Sequence, residues 1–167
     1  MSGDYRVLLK SVDLEHAFVV ALFVDIRGFS SYGRDSSVAA RFLTKVYTKL
    51  IDQYFPDASF IKPTGDGLLI VYAGKSEDLK EISRKAVEIS LSVVRDFGSF
   101  KEDEPLLSGA PDKVGIGISM GAACRLVAEG RVLDYCGRPL NLASRLTDMA
   151  RPSGVVFDSD IACLLYT

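Results

Sequence analysis

The feature that most constrains the fold is a short apolar run that ends in an acid. Residues Ala17 to Val24 read AFVVALFV, without a charge, and Asp25 follows directly. This run is far shorter than the ~20 residues that cross a bilayer, and its β-branched and aromatic side chains favour a strand buried on both faces. We therefore expect an internal strand that delivers Asp25 to one edge of a sheet, and no direct membrane insertion.

Two helical patterns surround a hairpin in the first half of the chain. Apolar residues recur at four-residue steps over residues 36–54 and along one face of residues 76–97, which predicts two amphipathic helices. Between them, strands at 59–63 and 68–72 flank Thr64-Gly65-Asp66-Gly67. The glycine on each side of Asp66 strongly favours a turn, which predicts a β-hairpin. The further predicted elements are strands at 114–124 and 131–135, a helix at 140–150, a strand at 155–158 and a short last helix. This order predicts an α+β, ferredoxin-like sandwich of one mainly antiparallel sheet with helices on it.

Composition narrows the class of protein. The 167 residues fit one domain, which we take as residues 1–167. Twenty basic residues against 22 acidic ones give a net charge of −2, which argues against nucleic acid as a partner. Three widely spaced cysteines and one histidine, without a CxxC pair, make no zinc framework and suggest a reduced, cytoplasmic setting.

Strand pairing between the apolar run and the hairpin would place Asp25 and Asp66 at one edge of the sheet. Two neighbouring carboxylates repel each other unless a cation lies between them, and oxygen ligands favour Mg²⁺ or Mn²⁺. Gly28 and Ser30, just after Asp25, offer backbone N–H groups to phosphate oxygens. Taken alone, however, an aspartate between two glycines more often only stabilises a turn and has no catalytic or metal-binding role.

A second cluster lies on the predicted helix at 140–150. Asn141 and Arg145 are four residues apart and therefore share one helical face. There an amide could orient a sugar oxygen while a guanidinium neutralises charge on a reacting phosphate. The alternative is a capped helix with one solvated arginine, and we take the flanking Arg138 and Arg151 as solvated.

Four motifs in order carry a family resemblance. They are FVDIRGFS at 23–30, KPTGDG at 62–67, GISMG at 117–121 and DYCGRPLNLASRL at 134–146. Together they resemble the class III nucleotidyl cyclase catalytic domain of adenylate and guanylate cyclases, over about residues 17–165. The resemblance implies conversion of a nucleoside triphosphate to its 3′,5′-cyclic nucleotide and pyrophosphate, with two Mg²⁺ or Mn²⁺ ions as cofactors.

The resemblance also assigns roles to individual positions. The implied metal residues are Asp25, Ile26 and Asp66; the phosphate-binding residues Gly28, Phe29 and Ser30; the catalytic residues Asn141 and Arg145; and the base-reading residues Lys62 and Asp134. Each family site lies between two subunits, one giving the metal residues and the other Lys62, Asp134, Asn141 and Arg145. A homodimer with two complete sites is therefore implied. Asp25 and Asp66, with the four positions given by the other subunit, make six, and since all six are filled, an inactive relative is disfavoured.

The base-reading pair leaves more than one nucleotide open. Lys62 can donate and Asp134 can accept, which fits the amine and ring nitrogen of adenine and equally those of cytosine, whereas guanine and uracil present the reverse pattern. The stretches FIKPTGDGLLIVY and VLDYCGRPLNLASRLTDMARPSGVVFD resemble the pyrimidine cyclases of bacterial Pycsar anti-phage systems. That resemblance implies UTP or CTP as substrate, cyclic UMP or cyclic CMP as product, and a downstream cyclic-nucleotide-binding effector.

Two local features agree with a small base pocket. The stretch from Gly121 to Gly137 is short for the family, and Tyr47 could fill the space of a purine's second ring. Tyr47 is at least as readily a packed helix residue. Two rival functions remain open: an adenylate cyclase with the same residues, and a regulatory domain that binds a nucleotide without turning it over.

Overall fold

The computed structural model describes residues 5–33 and 35–166, which form a six-stranded sheet with helices on both faces. The strands are β1 (Asp13–Ile26), β2 (Phe60–Pro63), β3 (Gly67–Gly74), β4 (Val114–Ala128), β5 (Arg131–Cys136) and β6 (Gly154–Phe157). The helices are α1 (Tyr5–Leu8), α2 (Phe29–Tyr32), α3 (Ser36–Lys49), α4 (Leu79–Asp96), α5 (Arg138–Met149) and α6 (Ser159–Tyr166). The strand order is β2-β3-β1-β4-β5, every pair is antiparallel, and β6 adds to β4 in parallel. The predicted α+β sandwich is confirmed.

β1 is the central strand because its apolar run is buried on both faces. Residues Val19 to Leu22 have no exposed surface, and β1 pairs with β3 on one side and β4 on the other. At the end of the strand, Asp25 lies opposite Gly67 of β3 and Gly115 of β4. A Cβ at Gly67 would collide with the Val24 carbonyl, so only glycine allows the hairpin to approach this closely.

The two faces of the sheet carry different helices. α3 and α4 cover one face, burying side chains such as Phe42 and Val93 against the even-numbered residues of β1. α5 covers the other face, where Leu140 and Ala143 pack on the odd-numbered residues. A Cβ at Gly117 of β4 would collide with the Ala143 carbonyl, so this glycine of the GISMG motif lets α5 lie directly on the strand.

Some element boundaries differ from the prediction for physical reasons. β1 begins at Asp13 rather than at Ala17, because its polar first residues still pair with the far end of β4. The helix expected over 36–54 stays α-helical only to Lys49 and continues as a π-helical turn over Leu50–Tyr54. Within the described residues, no helix combines the length and the apolar character needed to cross a membrane.

Candidate active site

Asp25 and Asp66 meet at one end of the sheet, as the sequence predicts. The Ile26 amide donates to the Asp66 carbonyl at 3.1 Å, which fixes the hairpin turn beside the end of β1. Both carboxylates line a cavity of about 250 Å³, together with Thr64 of the hairpin and Asp148 of α5. Register between distant strands has therefore placed two acids, 41 positions apart in the sequence (66 − 25), at one site.

The electrostatics of this cavity suit a cation. Burial raises the pKa of the Asp25 carboxyl; the Arg27 guanidinium opposes this shift, and the negative charge of Asp66 adds to it. A divalent cation between the two carboxylates would relieve both the burial of charge and the repulsion. Ile26 is buried and apolar, so only its backbone carbonyl could join them as a ligand. Across residues 5–33 and 35–166, no cluster of three or more His, Cys, Asp or Glu side chains forms a metal site by itself.

The predicted phosphate loop follows at once. Gly28 has φ of 78°, a left-handed conformation that favours glycine, and it starts the one-turn helix α2. The first N–H groups of a helix have no acceptor within it, so those of Phe29 and Ser30 are available to a ligand. The ring of Phe29 stacks on Phe42 of α3 at 6.5 Å, which anchors the loop to the core. The loop thus presents backbone donors from a fixed position.

A second cavity holds the proposed base-reading pair. Lys62 Nζ donates to Asp134 Oδ2 at 2.5 Å, and both residues line a cavity of about 320 Å³ with Asn141. This cavity shares Thr64 with the Asp25–Asp66 cavity, so the two adjoin. The Lys62–Asp134 pair connects β2 and β5, which are the edge strands at the two ends of the strand order. These strands also contact each other through Phe60 and Tyr135, whose ring centroids are 5.5 Å apart.

Two predicted residues lie elsewhere in the protomer. Arg145 is exposed on α5, one turn beyond Asn141, and is not among the residues lining the second cavity. Tyr47 lies on the α3 side of the sheet, where its hydroxyl donates to the Gly65 carbonyl at 2.5 Å. Burial and the charge of Asp66 raise the pKa of Tyr47. Within one protomer, Tyr47 therefore supports the turn that holds Asp66 rather than the cavity of Lys62.

Three cations lie beside the phosphate loop, and the sequence reasoning gave none of them a functional role. Arg27, Lys113 and Arg151 line a third cavity of about 550 Å³ that also contains Gly28. For Lys113 the available signal was its place directly before the predicted strand at 114–124; in the structure β4 pairs with β1, and the Arg27 amide donates to the Lys113 carbonyl at 2.9 Å. Arg151 is exposed, as expected of a solvated side chain, yet its charge acts on Asp25. Asp112 lines the same cavity and Arg27 is paired with Asp25, so the positive charge beside the loop that suits phosphates comes from Lys113 and Arg151.

Comparison with known proteins places this arrangement in a family. A model of the adenylate and guanylate cyclase catalytic domain matches residues 13–166, so the chain belongs to that family. It is a nucleotidyl cyclase catalytic domain. Members of the family generally use two divalent metal ions, Mg²⁺ or Mn²⁺, and the acids at the end of β1 and in the hairpin fit such ions. A search of curated protein sequences gave no match.

Solved structures share the fold at low identity. The adenylyl cyclase CyaB from P. aeruginosa has a TM-score of 0.73 and 18% identity, covering 92% of this chain and 83% of that one. The guanylyl cyclase Cya2 has a TM-score of 0.67 and 21% identity, covering 93% and 80%. A class III adenylyl cyclase-like ATP-binding protein from Pseudomonas aeruginosa has a TM-score of 0.73 and 15% identity, covering 90% of this chain and 35% of that one. At these identities the likeness concerns the fold alone.

Proposed function

We propose that this domain converts a pyrimidine nucleoside triphosphate, UTP or CTP, to cyclic UMP or cyclic CMP and pyrophosphate. The observation that carries the proposal is that each subunit presents both halves of a site in separate cavities, one with Asp25 and Asp66 and the other with Lys62 and Asp134, which a homodimer can combine from opposite subunits. The first offers carboxylates for cations next to the Gly28 loop. The second offers a donor and an acceptor that match the edge of cytosine and so support CTP, whereas UTP rests on the resemblance to the pyrimidine cyclases alone.

In the proposed reaction, the 3′-oxygen bonds to the α-phosphorus of the same nucleotide while the bond from that phosphorus to the pyrophosphate oxygen breaks. Divalent cations, when bound, supply positive charge that makes the 3′-hydroxyl more acidic and neutralises the triphosphate. Asp25 and Asp66 would hold those cations, and Asp25 would accept the proton that leaves the 3′-hydroxyl. Backbone N–H groups of Phe29 and Ser30 bind phosphate oxygens.

The remaining chemistry comes from α5 of a second subunit. Asn141 and Arg145 are both exposed on this helix, so they are accessible to a nucleotide held by a partner. Asn141 orients the ribose, and Arg145 neutralises the charge that develops on the α-phosphate. A homodimer then contains two sites, each with metal residues from one subunit and Lys62, Asp134, Asn141 and Arg145 from the other.

The biological role follows from the product. A cyclic pyrimidine nucleotide serves as a messenger, so this enzyme acts upstream of an effector that binds cyclic UMP or cyclic CMP. The resemblance of the hairpin and α5 segments to Pycsar cyclases supports synthesis during phage infection. Infected cells that carry the gene should accumulate the cyclic nucleotide, and cells with the Asp66→Ala variant should not.

The decisive experiment incubates purified protein with Mn²⁺ and ATP, GTP, CTP or UTP separately, and identifies products by mass spectrometry. Cyclic UMP or cyclic CMP should dominate. Asp66→Ala should abolish turnover while leaving the dimer intact, because one carboxylate cannot hold the cations alone. Dominant cyclic AMP would establish an adenylate cyclase instead, which the Lys62–Asp134 pair also fits. Tight nucleotide binding without any product would make the domain a binding module.

A further inference from the structure

Arg27 is a buried arginine between the proposed metal site and α5. We propose that it is a positioning residue: it fixes the carboxylate of Asp25 against the C-terminal end of α5, and the affinity of the site for a divalent cation depends on this. The inference rests on the proposed role of Asp25 as a metal ligand. Arg27 lies within the FVDIRGFS motif, but the family resemblance gave it no role.

The contacts of Arg27 join two elements that are far apart in the chain. Nη1 donates to Asp25 Oδ2 at 2.5 Å. Nη2 donates to the carbonyl of Thr147 and to that of Ala150, the latter at 3.3 Å. The Thr147 carbonyl also accepts from the Ala150 amide at 3.1 Å, and a cation at the C-terminal end of a helix is favourable. One guanidinium therefore binds the carboxylate and the helix end simultaneously.

Packing leaves the guanidinium little freedom. The Arg27 side chain is only 8% exposed. A Cβ at Gly115 of β4 would collide with Nη2, so the guanidinium lies directly on the backbone of that strand. The backbone is held as well, since the Arg27 amide donates to the Lys113 carbonyl. Because both its backbone and its guanidinium are held, Arg27 can hold the Asp25 carboxylate in one orientation, as residues that hydrogen-bond to a metal ligand commonly do.

The same contacts argue against a competing role for Arg27 as a substitute cation. Arg27 lines the neighbouring cavity with Gly28, whereas Asp25 lines the cavity shared with Asp66. The Asp25 side chain keeps 35% exposure while bonded to Arg27, so it remains accessible from that cavity. The guanidinium orients the carboxylate from behind and does not occupy the place of the ion. Removing it should therefore weaken cation binding rather than strengthen it.

The test measures Mn²⁺ binding to the full chain without nucleotide, by electron paramagnetic resonance of the free ion. Arg27→Met should raise the Kd for Mn²⁺ by about tenfold or more, as loss of a group behind a metal ligand commonly does. Arg27→Lys should lie between Arg27→Met and the unmodified protein, because lysine keeps the charge but not the fork that reaches α5. Arg84→Met is the matched control: Arg84 is exposed on α4, and its loss should leave the Kd unchanged.

Circular dichroism establishes that each variant is folded. If Arg27→Met does not fold, Arg27→Lys and Gly115→Ala are measured in its place, the second displacing the guanidinium without removing its charge. An unchanged or lower Kd in these folded variants would overturn the positioning role. Failure of the metal site itself gives a different result: in that case the unmodified protein and Asp66→Ala would bind Mn²⁺ equally.

Discussion

Lys62 and Asp134 already satisfy each other, at 2.5 Å, before any base is bound. Both side chains are partly exposed, at 46% and 24%, so the pair sits at the surface of its cavity. A base that accepts from Lys62 and donates to Asp134 must replace this ion pair with two new hydrogen bonds. Bases with the reverse pattern would leave both charges poorly paired, so the cost of a wrong base is greater than that of a single lost bond.

Removal of Lys62 should therefore lower both activity and base discrimination. Lys62→Ala leaves the acceptor of the preferred base without its donor, and kcat/KM for that nucleotide should fall by about tenfold or more. Lys85→Ala is the matched control, because Lys85 is equally exposed in an ion pair with Asp57 but lies away from both cavities. Steady-state kinetics with four nucleoside triphosphates make the comparison. Equal kcat/KM values for Lys62→Ala and Lys85→Ala would contradict the base-reading role.

At the scale of elements, α3 depends on a charged cap. Asp35 accepts from the Ser37 amide at 3.0 Å and from the Val38 amide at 3.3 Å. The hydrogen bond from the Ser37 hydroxyl, followed by those from the two amides, lowers the pKa of Asp35. A carboxyl whose pKa is lower in the folded state stabilises the fold above its unfolded pKa. This stabilisation is lost as the pH falls through the lower, folded value.

Asp35→Ala should accordingly lower Tm at neutral pH, because α3 loses its N-cap. The difference from the unmodified protein should shrink at acid pH, once Asp35 is protonated in that protein too. Thermal unfolding followed by circular dichroism at several pH values tests both statements. Asp52→Ala, which removes an exposed carboxylate in the turn after α3 but no N-cap, is the control, and its Tm at neutral pH should stay closer to that of the unmodified protein.

Local sequence patterns predicted most of the helices and strands. The expected pairing of the apolar strand with the hairpin was enough to predict that Asp25 and Asp66 lie close together. Three findings needed information that no local pattern carries. Arg27 reaches α5 across 120 positions. Tyr47 faces the hairpin because of the way α3 lies on the sheet. Lys62 meets Asp134 although their strands, β2 and β5, are the two ends of the strand order, and the distance between edge strands cannot be counted along a sequence.

At the scale of the whole molecule, the proposed site is divided between subunits. Asp25→Ala damages the metal half of a site, and Asn141→Ala damages the half given by the other subunit. A mixed dimer of these two inactive variants holds one intact site, so random mixing should restore about a quarter of the unmodified activity. The measurement is cyclase activity after the two purified variants are unfolded, mixed and refolded together.

A control mixture tests whether recovered activity comes from a site shared between subunits or only from the unfolding and refolding treatment. Asp25→Ala combined with Asp66→Ala places both lesions in the metal half, so every site in a mixed dimer lacks one carboxylate. This mixture should stay inactive. Recovery in both mixtures, or in neither, would contradict the division of the site across the dimer.

The glycines around Asp25 have a consequence for how such a domain can diverge. Any side chain at Gly67, Gly115 or Gly117 would collide with the backbone or with the buried guanidinium. The side chains proposed to read the base, Lys62 and Asp134, are instead partly exposed at the sheet edges, where a replacement displaces few neighbours. A lineage can thus drift from one nucleobase to another while its cyclisation chemistry stays unchanged. The same fold can in this way produce cyclic nucleotides with different bases as messengers.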